Sequence, residues 1–92
     1  MIIVSQDKKA IYNFDNISSI QIEGCNGTYN LIVYDQINDR DSLGTYETEE
    51  RAIQVLGEII EFYEDTKQKM MLQNVHMLYA EKNDFVYYMP LQ

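Results

Sequence analysis

The chain has no tryptophan, and among its 92 residues only one cysteine, one histidine, one proline and four glycines. Each scarcity removes a class of explanation. A lone Cys25 excludes an intramolecular disulfide and a cysteine-based metal site, and fits a reducing compartment. It stands beside a tight turn with no sequence neighbour that would stabilise its thiolate, so it reads as a structural residue. His76 has no second group placed to orient it, and ligand or base roles usually need one. Basic residues are also scarce, seven against fifteen acids, for a net charge of −8. A basic footprint is therefore missing. That argues against direct nucleic-acid binding through phosphates and against docking on an anionic membrane surface. No apolar run approaches the ~20 residues of a spanning helix. Met1-Ile2-Ile3-Val4 lacks the basic flank and long apolar stretch of a signal peptide. A cytoplasmic protein is expected.

Catalytic patterns are absent as well. There is no phosphate-binding glycine loop, nucleophile elbow, C-x-x-C, H-E-x-x-H or E-x-x-H. Glu58, Glu61 and Glu64 stand three apart on one helix face, and Asp35, Asp39 and Asp41 surround a loop. The loop lacks the central glycine and terminal glutamate of an EF-hand. Solvated acidic faces explain both clusters. The expectation is a protein without enzymatic activity, metal or cofactor.

What is present is ordinary globular composition, 46% apolar and 24% charged, in a length that makes one domain over residues 1–92. Residues 1–4 and 10–14 read as a hairpin around the polar Ser5-Gln6-Asp7-Lys8-Lys9, and Asp15-Asn16 ends it. The strongest local signal follows. Residues 17–23 and 28–37 flank Gly24-Cys25-Asn26-Gly27, and Asn-Gly is the preferred pair for a two-residue type I′ turn. With that pair at the tip, Ile22 faces Leu31, Ile20 faces Val33 and Gly24 faces Tyr29 on an aliphatic side. Glu23–Asn30, Gln21–Ile32 and Ser19–Tyr34 share a mixed side, as expected of a half-buried antiparallel sheet. Residues 38–42 read as a polar loop, and Leu43-Gly44-Thr45-Tyr46 as a short strand.

A helix is expected over 48–67. Thr48 suits the N-cap, and Glu49 and Glu50 suit the positive end of the helix dipole. Ala52, Ile53, Leu56, Ile59, Ile60 and Tyr63 form the expected buried stripe. Glu50, Gln54, Glu58, Glu61 and Asp65 occupy the opposite face, and Lys67 and Lys69 suit the C-terminal end. Gly57 leaves room for a close strand. Residues 70–84 admit two readings, a continued helix through Met71, Val75, Leu78 and Tyr79 or an irregular connection. Phe85-Val86-Tyr87-Tyr88-Met89 reads as a final strand stopped by Pro90. The sum is an α+β fold, an antiparallel sheet of four to six strands with one amphipathic helix on one face.

Eight tyrosines are many for this length. Tyrosine joins rigid apolar area to a hydroxyl, which suits interfaces. Tyr87 and Tyr88 are adjacent on a strand, so one of them faces outward. The candidate partner-binding residues are Tyr34, Glu58, Glu61, Asp65, Tyr87 and Tyr88.

Ser5-Gln6-Asp7, Asn13-Phe14-Asp15-Asn16-Ile17, residues 43–52 (Leu-Gly-Thr-Tyr-Glu-Thr-Glu-Glu-Arg-Ala) and Tyr87-Tyr88-Met89-Pro90 resemble a group of small uncharacterised proteins of Firmicutes phages and mobile elements. The departure is Lys8, where such proteins often have glycine after the aspartate. The resemblance implies a phage or mobile-element setting in a bacterial cytoplasm and carries over no functional residue. Three functions follow as expectations. The first is a non-enzymatic acidic module that occupies a protein partner's surface, such as the basic nucleic-acid-binding site of a host defence nuclease. The second is a small-ligand or nucleotide sequestering protein with a pocket between sheet and helix. The third is a self-associating structural protein that forms a homodimer.

Overall fold

Asn26 and Gly27 take φ of 52° and 78°, the left-handed pair that a type I′ turn demands. Their turn fixes the longest hairpin in the computed structural model, which describes residues 1–76 and 85–92. Strand β3 (Ile17–Cys25) pairs antiparallel with β4 (Thr28–Asp35), with Cys25 opposite Thr28, Ile22 opposite Leu31 and Ile20 opposite Val33. The register is the one the Asn-Gly tip requires, down to Ser19 opposite Tyr34. A bulge then lies between Ile17 and Ser19. Strand β5 (Arg40–Tyr46) completes this sheet on the far side of β4. It takes in Arg40, Asp41 and Ser42, so the expected polar loop shrinks to a turn. Asp35 makes that turn tight by accepting the backbone N–H groups of Ile37 and Asp39.

The remaining strands form a second sheet, so a single sheet of four to six strands is not what the chain builds. Strand β1 (Ile2–Val4) sits between β2 (Ile11–Asn13) and β6 (Val86–Tyr88). The β1–β2 pair is the expected hairpin, but β1 and β6 run parallel. Parallel neighbours need a long crossover, and α1 (Glu49–His76) lies between β5 and β6 in the chain. The two sheets meet at Gln6. Its backbone N–H donates to Leu43 C=O at 2.8 Å. Its side-chain amide donates to the carbonyls of Thr45, Pro90 and Leu91 and accepts from Thr45 N–H. A Cβ on Gly44 would stand 3.1 Å from the Gln6 side chain, so glycine there permits the approach.

Thr48 caps α1 as expected, its hydroxyl accepting Arg51 N–H at 3.1 Å. The helix does not stop near residue 67 but continues to His76, so Lys67 and Lys69 are interior. Of residues 70–84, the helical reading therefore holds to 76. Leu78 and Tyr79 fall outside the described residues. The buried stripe is also rotated from the expected one. Ala52, Val55, Ile59 and Thr66 are 0–2% exposed, while Ile53 and Ile60 are 54% and 53% exposed. Spacings of three, four and seven residues make a narrow seam, with Leu56 and Phe62 half-buried along it. Hydrophobic spacing alone accepts both stripes; the sheet beneath selects one. The core joins Ile3, Leu31, Val33, Leu43 and Tyr46 to that seam and to Tyr87 and Met89. The aliphatic side of β3–β4 thus meets the helix, as the hairpin register requires.

Two local sites give measurable consequences. A Cβ on Gly57 would meet nothing within 4 Å, so Gly57 serves no close strand approach. Gly57→Ala is expected to raise stability by about 1 kcal/mol through helix propensity, read as a higher urea midpoint. Lys8 has a left-handed φ of 62°. Its N–H closes the first turn onto Ser5 C=O. In the same turn the Ser5 hydroxyl and the Lys9 amide hold the Asp7 carboxyl below its usual pKa. Lys8→Gly is expected to stabilise by about 0.5–1 kcal/mol, because a side chain at positive φ is disfavoured. An unchanged thermal midpoint would count against this account.

Candidate functional site

Helix α1 carries one acidic flank, whose inner edge meets Tyr87 of β6. Four carboxylates, Glu58, Glu61, Glu64 and Asp65, line an open groove of about 480 Å³ together with Phe62 and Gln68. Steps of three and four residues stack these side chains on one helical face. The groove has a fixed inner wall. Phe62 meets the Tyr87 ring edge-on, with centroids 5.4 Å apart. The Tyr87 hydroxyl donates to Glu58 Oε2 at 3.1 Å. Burial first, and then the Glu58 carboxylate, push the Tyr87 hydroxyl far above its usual pKa.

Among the described residues, Arg51 and Lys69 stand near the groove. Arg51 reaches Glu58 Oε1 at 3.5 Å and also donates to Gln54 at 2.8 Å. Lys69 lies 3.4 Å from Asp65 at the exposed i,i+4 spacing, a pair worth a few tenths of a kcal/mol. Glu61 and Glu64 are exposed. The flank is thus a negative surface with one aromatic ring in its floor.

The six residues expected to contact a partner do not form one patch. Glu58, Glu61 and Asp65 share the groove. Tyr87 is 9% exposed, so it braces Glu58 from within and offers no contact surface of its own. Tyr88 is its outward neighbour, 58% exposed, on the other face of the three-stranded sheet. Tyr34 lies on the mixed side of the β3–β4 hairpin. Its hydroxyl donates to Glu23 at 2.7 Å, and Glu23 also holds Arg40 at 2.6 Å. The Glu23 carboxylate raises the Tyr34 pKa. Phe62 was not among the expected residues. The signal for it was present, three positions beyond Ile59 on the true seam, and the neighbouring Tyr63 masked it. Tyr63 instead packs on Phe14, with ring centroids 4.7 Å apart, and lies beneath the Lys67 ammonium.

The other acidic cluster is a structural one. Asp35 staples the β4–β5 turn, and Asp41 accepts the Tyr12 hydroxyl at 2.5 Å. Among the described residues, no three His, Cys, Asp or Glu side chains are grouped to hold a metal ion. No helix among them is long and apolar enough to cross a membrane. Cys25 is exposed with a free thiol. Comparison with protein-family models, with curated proteins and with solved structures found no match to this chain.

Proposed function

We propose that this chain is a non-enzymatic, acidic protein-binding module that works by occupying a basic surface of a partner. The observation that carries the reading is the α1 groove, where Glu58, Glu61, Glu64 and Asp65 converge around Phe62. Charge of one sign steers a partner of the opposite sign, and an aromatic floor supplies apolar area once it arrives. The net charge of −8 extends the same field over the whole molecule. In its concrete form the module covers the nucleic-acid site of a bacterial host nuclease, in the phage or mobile-element setting the resemblance implies.

The test is capture from bacterial lysate by the wild-type chain and by a Glu61→Gln/Glu64→Gln/Asp65→Asn variant. The expected result is a nucleic-acid-binding protein that elutes with added salt, is displaced by duplex DNA or RNA, and is missed by the variant. Equal capture by both proteins, or a partner indifferent to salt, would overturn the reading. Among the described residues, side-chain packing in the space between sheet and helix speaks against the small-ligand alternative. Leu31, Val33, Val55 and Ile59 occupy it at 0–4% exposure.

A further inference from the structure

Each three-stranded sheet has two edge strands, and the edges are not treated alike. Strand β5 is covered where Gln6 bonds to Leu43 and Thr45. Strands β2 and β6 have three residues each. Strand β3 is nine residues long, and among the described residues β4 is its only strand partner. Monomeric proteins usually blunt such an edge with lysine, proline or an inward charge, because its unpaired N–H and C=O groups invite another strand. Residues Ile-Ser-Ser-Ile-Gln-Ile-Glu-Gly-Cys of β3 contain neither lysine nor proline. One bulge interrupts the edge, confined to its start between Ile17 and Ser19.

We infer that β3 pairs antiparallel with β3 of a second copy of this chain, about a two-fold axis at Gln21, and joins the two sheets into one. The hairpin geometry supplies the register. A two-residue turn is closed by a hydrogen-bonded pair, here Cys25 and Thr28, and bonded and non-bonded pairs alternate from it. Glu23 and Gln21 therefore spend their backbone groups on β4, while Ile20 and Ile22 turn theirs outward. With Gln21 opposite Gln21 of the second copy, Ile20 falls opposite Ile22 and the two exchange both bonds. The side chains agree with this register. Ile20 and Ile22, half-buried in the single chain, extend the apolar side across the axis. On the other side Glu23 meets Ser19, so the only acid in β3 never faces its own copy. A two-fold contact of this kind closes on itself and leaves no further β3 edge to pair.

Charge sets its strength. Two chains of net charge −8 repel, so salt should tighten this dimer, the opposite of its effect on an acid–base contact.

The experiment is sedimentation over a concentration series, on wild type, Gln21→Lys and Gln21→Glu. Gln21 is exposed, so neither change disturbs the single chain's core. Each variant alone should weaken the dimer about fivefold by placing like charges opposite each other, and an equimolar mixture should restore it. As a second readout, Gln21→Cys in a Cys25→Ser background should oxidise to a covalent dimer. A non-bonded pair holds its Cα atoms about 4.5 Å apart, within the roughly 4.4–6.8 Å a disulfide spans. Gln36→Cys in the same background, exposed in the β4–β5 turn, supplies the collisional rate. Wild type that stays monomeric at every concentration, a dimer indifferent to both charge variants, or equal crosslinking at 21 and 36 would each overturn the inference. Partner capture by Gln21→Lys reads the proposed function separately, because that substitution leaves the α1 groove intact.

Discussion

Raising the pH from about 9 to about 12 is expected to unfold this protein, with buried tyrosines ionising in the same step that abolishes its circular dichroism. Tyr46 is 2% exposed, donates its hydroxyl to Pro90 C=O at 2.8 Å, and is pushed by burial from 10.0 up to about 12. Tyr87 is raised further, by burial and then by the Glu58 carboxylate. Tyr12 is also pushed to about 12, by burial and then by Asp41, but it is only half-buried and counts for less. In each case the folded state holds the proton more tightly than the unfolded chain does. The stabilisation is therefore complete below about pH 10, where both states are protonated. It falls as pH rises from there towards the folded-state pKa, because only the unfolded chain releases its proton freely. For Tyr46 alone the loss by pH 12 is on the order of 2 kcal/mol, and Tyr87 adds at least a comparable amount. Small domains hold only about 5–15 kcal/mol in total.

The measurement is tyrosinate absorbance followed against far-ultraviolet circular dichroism. Tyr46 and Tyr87 should ionise together with the loss of the dichroism. Tyr87→Phe should shift that loss to higher pH, since one of the coupled protons is gone. A smooth ionisation of all the rings near pH 10 with the dichroism intact would refute the account.

Two neighbouring isoleucines should respond very unequally to the same change. Ile59→Ala is expected to cost about 2–5 kcal/mol, because a 1%-exposed side chain in the sheet–helix layer leaves a cavity bordered by Val55 and the β4 aliphatics. Ile60→Ala, at 53% exposure, should stay within about 0.5–1 kcal/mol. With no tryptophan in the chain, circular dichroism in urea is the natural readout, and the slope of the transition should be unchanged. A large cost at Ile60 would mean that this face is covered in solution, and equal costs would place the seam elsewhere.

The contrast marks the limit of what periodicity reveals. Ile59 and Ile60 are equally apolar and adjacent, and a stripe through 52, 53, 56, 59, 60 and 63 is as regular as the seam through 52, 55, 59 and 66. Helix position along the chain was readable from Thr48, Glu49 and Glu50, because a cap acts within one turn. Helix rotation was not readable, because it depends on what lies beneath. The same division runs through the candidate site. Glu58, Glu61 and Asp65 were legible as one acidic face. Tyr87's role as an internal brace needed the parallel β1–β6 pair that turns it inward. That adjacency of Tyr87 and Tyr88 sends one ring in and one out followed from strand alternation alone, but not which ring went where.

By itself the sequence determined the α+β class, the first hairpin, the β3–β4 register and the start of the helix. All of these rest on interactions between residues close in the chain, where Asn26-Gly27 or Thr48 leaves few geometries open. Only the tertiary structure decided the split into two sheets, the parallel docking of β6, the stitch at Gln6 and the face that α1 buries. Those choices join residues as far apart as Gln6 and Leu91, and they turn on how two surfaces fit, which no local pattern records.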